Sequence, residues 1–439
     1  MTSGGNAGSP LAEIEAAAQE RAKALLLDTR SPDGAGALRA VIAEEINRWR
    51  AEHIRGVRPF DLNDPDTVAD RAFRNLAGYG PLEPLLADPD VWEIMINGPD
   101  AIFVKRHRGG SGYHDEVFHD DEHVVRTLTK ILDDASTSHR KLDPAEGLQD
   151  AQLDDGARIH IVHRDVGRDG HMLVNIRKFT GVPYRRLGEL VARGMLDAGA
   201  AEFLRACVAA RLSIVFAGPP GSGKTTLLSC CAAELDPRLR VVIAEEVFEA
   251  DVPVSNVASM QTRPQRADRP AVDLRRLVAG FLRMAPDIAI VGEVRDREAL
   301  PLLLTLSSGV TGYTTIHAGS ARQALSRLRF VCQLAEAGAN LPLSALNTLV
   351  SEAVDVVVHC ARVDGTPRVT EIVVVEDLQT AVDSSAFTVT DVFGRARADA
   401  LLAWTGNVPL RAARAFDDAG IDVRGRLETV AGTPGRRAS

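Results

Sequence analysis

The chain has 439 residues, too long for one small domain and suited to two or three. Hydrophobic residues make up 45% and charged residues 25%, the balance of a soluble globular protein with sizeable cores. The formal charge of -9, from 51 basic and 60 acidic residues, supplies no basic footprint for nucleic acid.

Met1 to Pro10 is small and polar, without the charged and apolar regions of a signal peptide. No stretch approaches the ~18 continuous apolar residues of a membrane span. The five cysteines, Cys207, Cys230, Cys231, Cys332 and Cys360, form no Cys-x-x-Cys pair. That argues against a structural zinc or a redox motif and points to reduced, buried thiols.

In chain order, Leu11 to Leu27 is a helical candidate in a segment otherwise read as mobile. Leu38, Val41, Ile42, Ile46 and Trp49 recur at three- and four-residue steps, which predicts an amphipathic helix with one buried stripe. That stripe could pack on its own chain or on a neighbour. From about Val68 the texture becomes mixed α/β. Helices are expected over Ala69 to Leu76 and His123 to Leu132, and strands over Trp92 to Ile96, Ile102 to Val104, Arg158 to Val162 and Met172 to Lys178. This reads as an α/β domain with a mostly antiparallel sheet.

Gly181-Val182-Pro183 opens a short basic linker. Beyond it, strand candidates at Ile214 to Ala217, Arg240 to Ala244, Ile288 to Val291, Tyr313 to Ile316 and Val354 to His359 alternate with helical segments such as Lys224 to Glu234. That alternation predicts a parallel sheet covered on both faces. After about Glu376 the chain reads as a short tail.

Gly218-Pro219-Pro220-Gly221-Ser222-Gly223-Lys224-Thr225 satisfies G-x-x-x-x-G-K-[ST], entered by a strand and left by a helix. Glycines let main-chain N–H groups cradle phosphate oxygens, and the helix N-terminus adds partial positive charge. Lys224 is expected on the β- and γ-phosphates of ATP, and the Thr225 hydroxyl on Mg2+. Thr226 completes the set of nucleotide contacts.

Glu245, Glu246 and Glu249 follow a strand whose carboxyl end is where ligands of parallel sheets sit. They fit either a solvated acidic turn or a site that binds Mg2+ and orients water. Asp287 to Glu293 is an apolar strand ending in a carboxylate, a Walker B type of arrangement, with Gly292 allowing close backbone approach. His317 ends another strand; it is a γ-phosphate sensor or a structural histidine. Arg158 and Arg177, on strands of the first domain, are either donors to transition-state charge or ordinary surface arginines.

Together these residues carry a family resemblance. The ordered set is Lys224-Thr225, then Glu245-Glu246-x-x-Glu249, then Leu282-Arg283-Met284 through Val291-Gly292-Glu293-Val294-Arg295-Asp296, then Thr315-Ile316-His317-Ala318. It resembles the Walker A, Asp box, Walker B and His box of type II/IV secretion ATPases, and is most similar to the CpaF-type ATPases of tight-adherence (Flp) pili. The resemblance spans about Gly78 to Glu376, and Gly80 to Leu86, Glu93 to Pro99, Asp155 to Arg158 and Ile176 to Phe179 add to it. It implies a RecA-like P-loop domain with a parallel sheet, preceded by a smaller PAS-like α/β domain and a helical N-terminal extension.

On that basis the chain divides into an extension (1–66), an N-terminal α/β domain (67–180), a linker (181–200), a RecA-like ATPase domain (201–380) and a C-terminal tail (381–439). The resemblance further implies a homo-hexamer at the inner face of the cytoplasmic membrane. Such a ring hydrolyses ATP with Mg2+ between its two domains, docks on a polytopic membrane platform and acts indirectly on pilin-like substrates. By analogy Glu249 and Glu293 activate the water, His317 couples to the γ-phosphate, Arg158 and Arg177 neutralise charge, and Thr225, Glu245 and Glu293 serve the metal.

Two departures stand out. Glu246 stands where the family carries Asp, and Gln152, in Asp150-Ala151-Gln152-Leu153, where it carries Arg. The alternatives are a conjugative DNA-transfer ATPase, which shares these boxes, and a nucleotide-dependent scaffold with little turnover.

Overall fold

The structure is a computed structural model that describes residues 9–106, 110–135, 141–178, 184–263, 269–335, 341–376, 387–395 and 400–431. Gly181-Val182-Pro183, where the expected linker opens, and the first eight residues lie outside the described residues. The chain divides into two compact units, Met1–Thr180 and Gly181–Ser439.

The first unit begins with three helices, α1 (Pro10–Ala24), α2 (Pro32–Ile54) and α3 (Pro65–Ala77). Each opens on proline behind a Ser or Asp cap: Ser9, Ser31 and Asp64 accept from Ala12, Gly34 and Thr67 N–H. Proline is tolerated there because its missing N–H has no partner in the first turn. Leu11, Ile14, Leu38, Ile42, Ile46, Trp49 and Ala72 form their shared core. The amphipathic stripe of α2 therefore packs on its own chain. The helix expected inside the α/β domain at 69–76 belongs to this layer as α3, so the helical region runs past residue 66.

The α/β part adds α4 (Glu83–Ala87), α5 (Asp121–Asp134) and strands β1 (Val91–Gly98), β2 (Ala101–Arg106), β3 (Gly112–Tyr113), β4 (Leu148–Gln152), β5 (Arg158–Val162) and β6 (Leu173–Arg177). The sheet order is β3-β2-β1-β6-β5-β4, with antiparallel neighbours throughout. Ile94, Ile96, Ile159, Ile161 and Ile176 pack on Val124, Leu128 and Ile131 of α5. Period-2 alternation leaves Glu93, Arg158 and Arg177 on the opposite face.

The second unit holds helices α6 (Leu187–Ala192), α7 (Ala198–Ala209), α8 (Lys224–Ala232), α9 (Leu274–Val278), α10 (Ala299–Ser307), α11 (Ala321–Leu334), α12 (Leu343–Ala353), α13 (Leu410–Asp418) and α14 (Val423–Ala431). Its strands are β7 (Ile214–Ala217), β8 (Arg240–Glu245), β9 (Asn256–Gln261), β10 (Ile288–Val294), β11 (Thr311–Ile316), β12 (Val356–Val363), β13 (Thr366–Val375), β14 (Val389–Gly394) and β15 (Ala403–Trp404). They form one nine-stranded sheet in the order β15-β14-β13-β12-β7-β11-β10-β8-β9.

From β12 to β9 all neighbours are parallel; β13, β14 and β15 extend the sheet as an antiparallel meander. The sheet is thus mixed where a parallel one was expected. Ile214, Phe216, Ile243 and Ile290 face one core, and Val215, Ala217, Val242 and Val291 face the other. Burial on both sides is why these strands read as unbroken apolar runs.

The described residues of the region expected as a tail are folded. β14, β15, α13 and α14 lie within it, and Val392, Phe393, Phe416 and Leu427 enter the first of those cores. Among the described residues no helix is long and apolar enough to cross a membrane.

Candidate functional site

The phosphate loop lies between β7 and α8, as its pattern requires. Gly218 has φ 149, and a Cβ there would stand 2.1 Å from the Cys360 carbonyl oxygen on β12. Only glycine lets the loop pass this close to the neighbouring strand. Ser222 donates its hydroxyl to the Pro219 carbonyl at 2.8 Å, tightening the loop. No side-chain oxygen caps α8, which follows Gly223 in the left-handed region. Its first N–H groups point to where a phosphate would take the cap's place. Lys224 is 7% exposed, and its Nζ donates to the Pro219 carbonyl at 3.0 Å. Thr225 and Thr226 follow, both partly buried.

Neighbouring strands bring three further motifs to this end of the sheet. β11 and β8 flank β10. The register between β10 and β11 slips between Val291 and Val294, so Gly292 and Glu293 sit on a bulge. A bulge re-aims the side chain that it carries. Thr315 fixes this one by donating its hydroxyl to the Gly292 carbonyl at 2.8 Å.

Glu293 Oε1 then lies 2.9 Å from His317 Nε2. His317 Nδ1 is 3.2 Å from the Gly218 carbonyl oxygen and 3.5 Å from Lys224 Nζ. Burial and the Lys224 charge hold the His317 pKa below its ordinary value. Burial pushes the Glu293 carboxyl up, but the Arg295 hydrogen bond and the charges of Arg295, His317 and Lys224 outweigh it and hold Glu293 low. The acid is therefore an anion at neutral pH.

Glu245 is 2% exposed, and its Oε1 accepts from the N–H groups of Glu249 (3.1 Å) and Ala250 (3.0 Å). It holds the turn that presents Glu249. A Cβ on Gly292 would come 2.8 Å from Glu245 Cγ, so the glycine lets the two acidic strands approach. Glu246 is exposed and pairs with Arg295 at 3.2 Å.

In the first unit, Arg158 and Arg177 are direct cross-strand partners. Gln152 pairs with Arg158, and Glu93 with Arg177, so the four form one row across β4, β5, β6 and β1. Two like charges opposite one another oppose pairing, which is a cost that a bound anion would relieve.

The sequence matches the family described as type II/IV secretion system protein over residues 75–398. This chain belongs to that family.

PtlH, a type IV secretion system protein of Bordetella pertussis, is 32% identical over 330 residues, 69% of this chain and 94% of its own. A Mycobacterium tuberculosis protein named for conjugal transfer is 31% identical over 335 residues, 74% of this chain and 92% of its own. Among solved structures, the VirB11 ATPase of the Brucella suis type IV secretion system, in complex with sulphate, is 27% identical, with a TM-score of 0.36 over 66% of this chain and 94% of its own. With phosphate loop and carboxylate both in place, the chain is an ATP hydrolase of this family.

The donors fit Mg2+. Among the described residues no cluster of three or more His, Cys, Asp or Glu could cage a metal by itself. Mg2+ in phosphoryl-transfer sites is held by one or two protein oxygens together with substrate phosphates and water, which Thr225 and Glu293 can supply. The five cysteines are free and buried, as their spacing suggests.

Sequence reasoning assigned no role to two residues here. Arg295 sits among the acids, and Glu298 supports it. The signal was present as a carboxylate three residues beyond an arginine inside the Walker B box.

Proposed function

We propose that this chain is a motor ATPase of the CpaF type, driving assembly of tight-adherence pili or a related secretion process. It works as a homo-hexamer at the cytoplasmic face of the inner membrane, coupled to a polytopic platform protein and acting indirectly on pilin-like substrates. One observation carries the reading: the phosphate-loop lysine, the His-box histidine and the Walker B glutamate stand in contact at the carboxyl ends of adjacent strands. A site for binding alone has no need of an ionised acid beside the phosphates.

In the proposed cycle, the loop N–H groups and Lys224 hold the β- and γ-phosphates. Thr225 and Glu293 would hold Mg2+, which would supply charge neutralisation at the phosphate oxygens. Glu293 and Glu249 orient the attacking water, Glu293 accepts its proton, and Glu245 keeps the Glu249 turn in place. His317 links the γ-phosphate position to the Gly218 carbonyl. Arg158 and Arg177, paired across β5 and β6 of the first unit, keep the role of offering positive charge to an anion.

Phosphate release by the purified full chain tests the motor against the scaffold. Glu293→Gln should lower turnover by about 10²–10³-fold while ATP still binds. ATP binding without turnover in every oligomeric state would leave only the scaffold. In cells, Lys224→Ala should abolish surface pili, and unchanged pili and secretion would refute the pilus reading. The conjugative reading draws on the name of the mycobacterial relative. The net charge of -9 weighs against it, and a salt-dependent gel shift with DNA would revive it.

A further inference from the structure

A row of polar contacts joins the four motifs. Glu246 Oε2 lies 3.2 Å from Arg295 Nη1. Arg295 grips Glu293 with both arms of its fork: Nε donates to Oε1, and Nη2 to Oε2 at 3.0 Å. Glu293 Oε1 meets His317 Nε2 at 2.9 Å, and His317 Nδ1 lies 3.5 Å from Lys224 Nζ. The main chain under Arg295 is fixed as well. The N–H groups of Arg295 and Asp296 donate to one oxygen of Glu298 at 2.5 and 2.9 Å, and Glu298 is only 6% exposed.

We propose that Arg295 is a positioning residue for hydrolysis: its guanidinium fork sets the rotation of the Glu293 carboxylate toward His317 and the phosphate loop, and Glu246 steadies that fork from the neighbouring strand. The inference rests on Glu293 being the acid that handles the water.

A carboxylate on a glutamate turns about its last torsion with little resistance, because that torsion is broad. A planar fork bonded to both oxygens removes this freedom, and an ammonium group cannot do the same. Glu293 sits on a bulge at a strand end, where the ladder constrains it least.

The same geometry gives the departure at Glu246 a purpose. Its carboxylate spans from the end of β8 to the guanidinium at 3.2 Å. Aspartate would draw the carboxylate back by about one carbon–carbon bond, ~1.5 Å, and out of hydrogen-bond reach. The longer arm at 246 and the fork at 295 act as a pair.

The experiment uses the full chain with steady-state ATP hydrolysis, binding of a fluorescent non-hydrolysable ATP analogue, and thermal melts. Arg295→Ala should lower kcat by about 10–100-fold, with KM and analogue affinity within about threefold of the parent. Arg295→Lys keeps the charge without the fork and should remain at least about fivefold below the parent in kcat. Glu246→Asp and Glu246→Gln should each lower kcat about 3–10-fold, and neither should lower it further in the Arg295→Ala background.

Parent-level kcat in Arg295→Ala or Arg295→Lys would overturn the proposal. So would additive losses in the double variants, or an affinity loss that matches the loss in kcat. If Arg295→Ala melts too low to assay, Arg295→Lys and the Glu246 variants decide by the same criteria. Glu293→Gln, run alongside, separates the two layers of inference. Full turnover there would sink the role of Glu293 itself, whereas lost turnover with an indifferent Arg295 would sink only the positioning role.

Discussion

Gly218 shows what a single side chain costs at this site. Its φ is 149, and a Cβ at this position would lie 2.1 Å from the Cys360 carbonyl oxygen, so even alanine forces the loop and β12 apart. Gly218→Ala should therefore destabilise the second unit by about 2–4 kcal/mol and weaken ATP binding at least tenfold, measured by melting and titration with the analogue. Lys224 acts differently. Its ammonium rests on the Pro219 carbonyl, a weak contact that a phosphate would displace. Lys224→Ala should leave the melting temperature nearly unchanged while abolishing detectable ATP binding. An unfolded Lys224→Ala protein would show that the lysine holds the loop together, contrary to this account.

At the scale of elements, the helical layer is fastened to the α/β sheet by a small polar clasp. Glu15 on α1 is 7% exposed; it accepts from Asn75 on α3 at 2.7 Å and meets His119 Nε2 at 2.6 Å. His119 stacks on His123 of α5, ring centroids 5.1 Å apart. The hydrogen bond to Glu15 raises the His119 pKa, whereas burial, then the nearby charges of His119 and Arg126, push His123 down to about 4. These histidines oppose one another in their pH dependence.

His123 is neutral in the fold and protonates near 6.5 when unfolded, so its contribution is present above pH 6.5 and is lost as pH falls toward 4. His119 contributes fully below 6.5 and loses that contribution as pH rises through its raised value. Going from pH 7 to pH 5, His123 should remove up to about 2 kcal/mol from the first unit. His123→Gln should flatten that acid-side slope in melts followed from pH 7 to 5. An unchanged slope would place the sensitivity elsewhere.

For the whole molecule, the C-terminal segment decides whether the second unit closes. Phe203 on α7 lies 5.8 Å from the Phe393 ring and 6.1 Å from the Phe416 ring. Both partners come from beyond residue 387, and both are buried. Phe416→Ala should cost about 3–5 kcal/mol. Ending the chain at Thr380 removes several large buried side chains at about 1.5–3 kcal/mol each, against a typical total stability of about 5–15 kcal/mol. That truncated chain should be recovered only as aggregate. Soluble, ATP-binding protein from it would mean that the parallel strands suffice alone.

The amino-acid sequence by itself determined the local chemistry. The Gly218 to Thr225 loop, the apolar strands at Ile214 to Ala217 and Ile288 to Val291, and the order of the acidic and histidine boxes are patterns of adjacent residues. Their physics acts within one turn or one strand. Two strands of the first unit, expected at Arg158 to Val162 and Met172 to Lys178, were legible for the same reason: alternation reports a half-buried sheet. Tertiary structure alone decided the rest. The short strand Leu148–Gln152 exists because it pairs with β5, and the segment beyond Glu376 folds because its few aromatics find Phe203 across nearly 200 residues of chain. Arg295 gains Glu246 as a partner only when β8 and β10 lie side by side, and Glu293 meets His317 only because a bulge turns it there. Contacts between residues far apart in sequence leave no periodicity in the chain, so they become visible only in the fold.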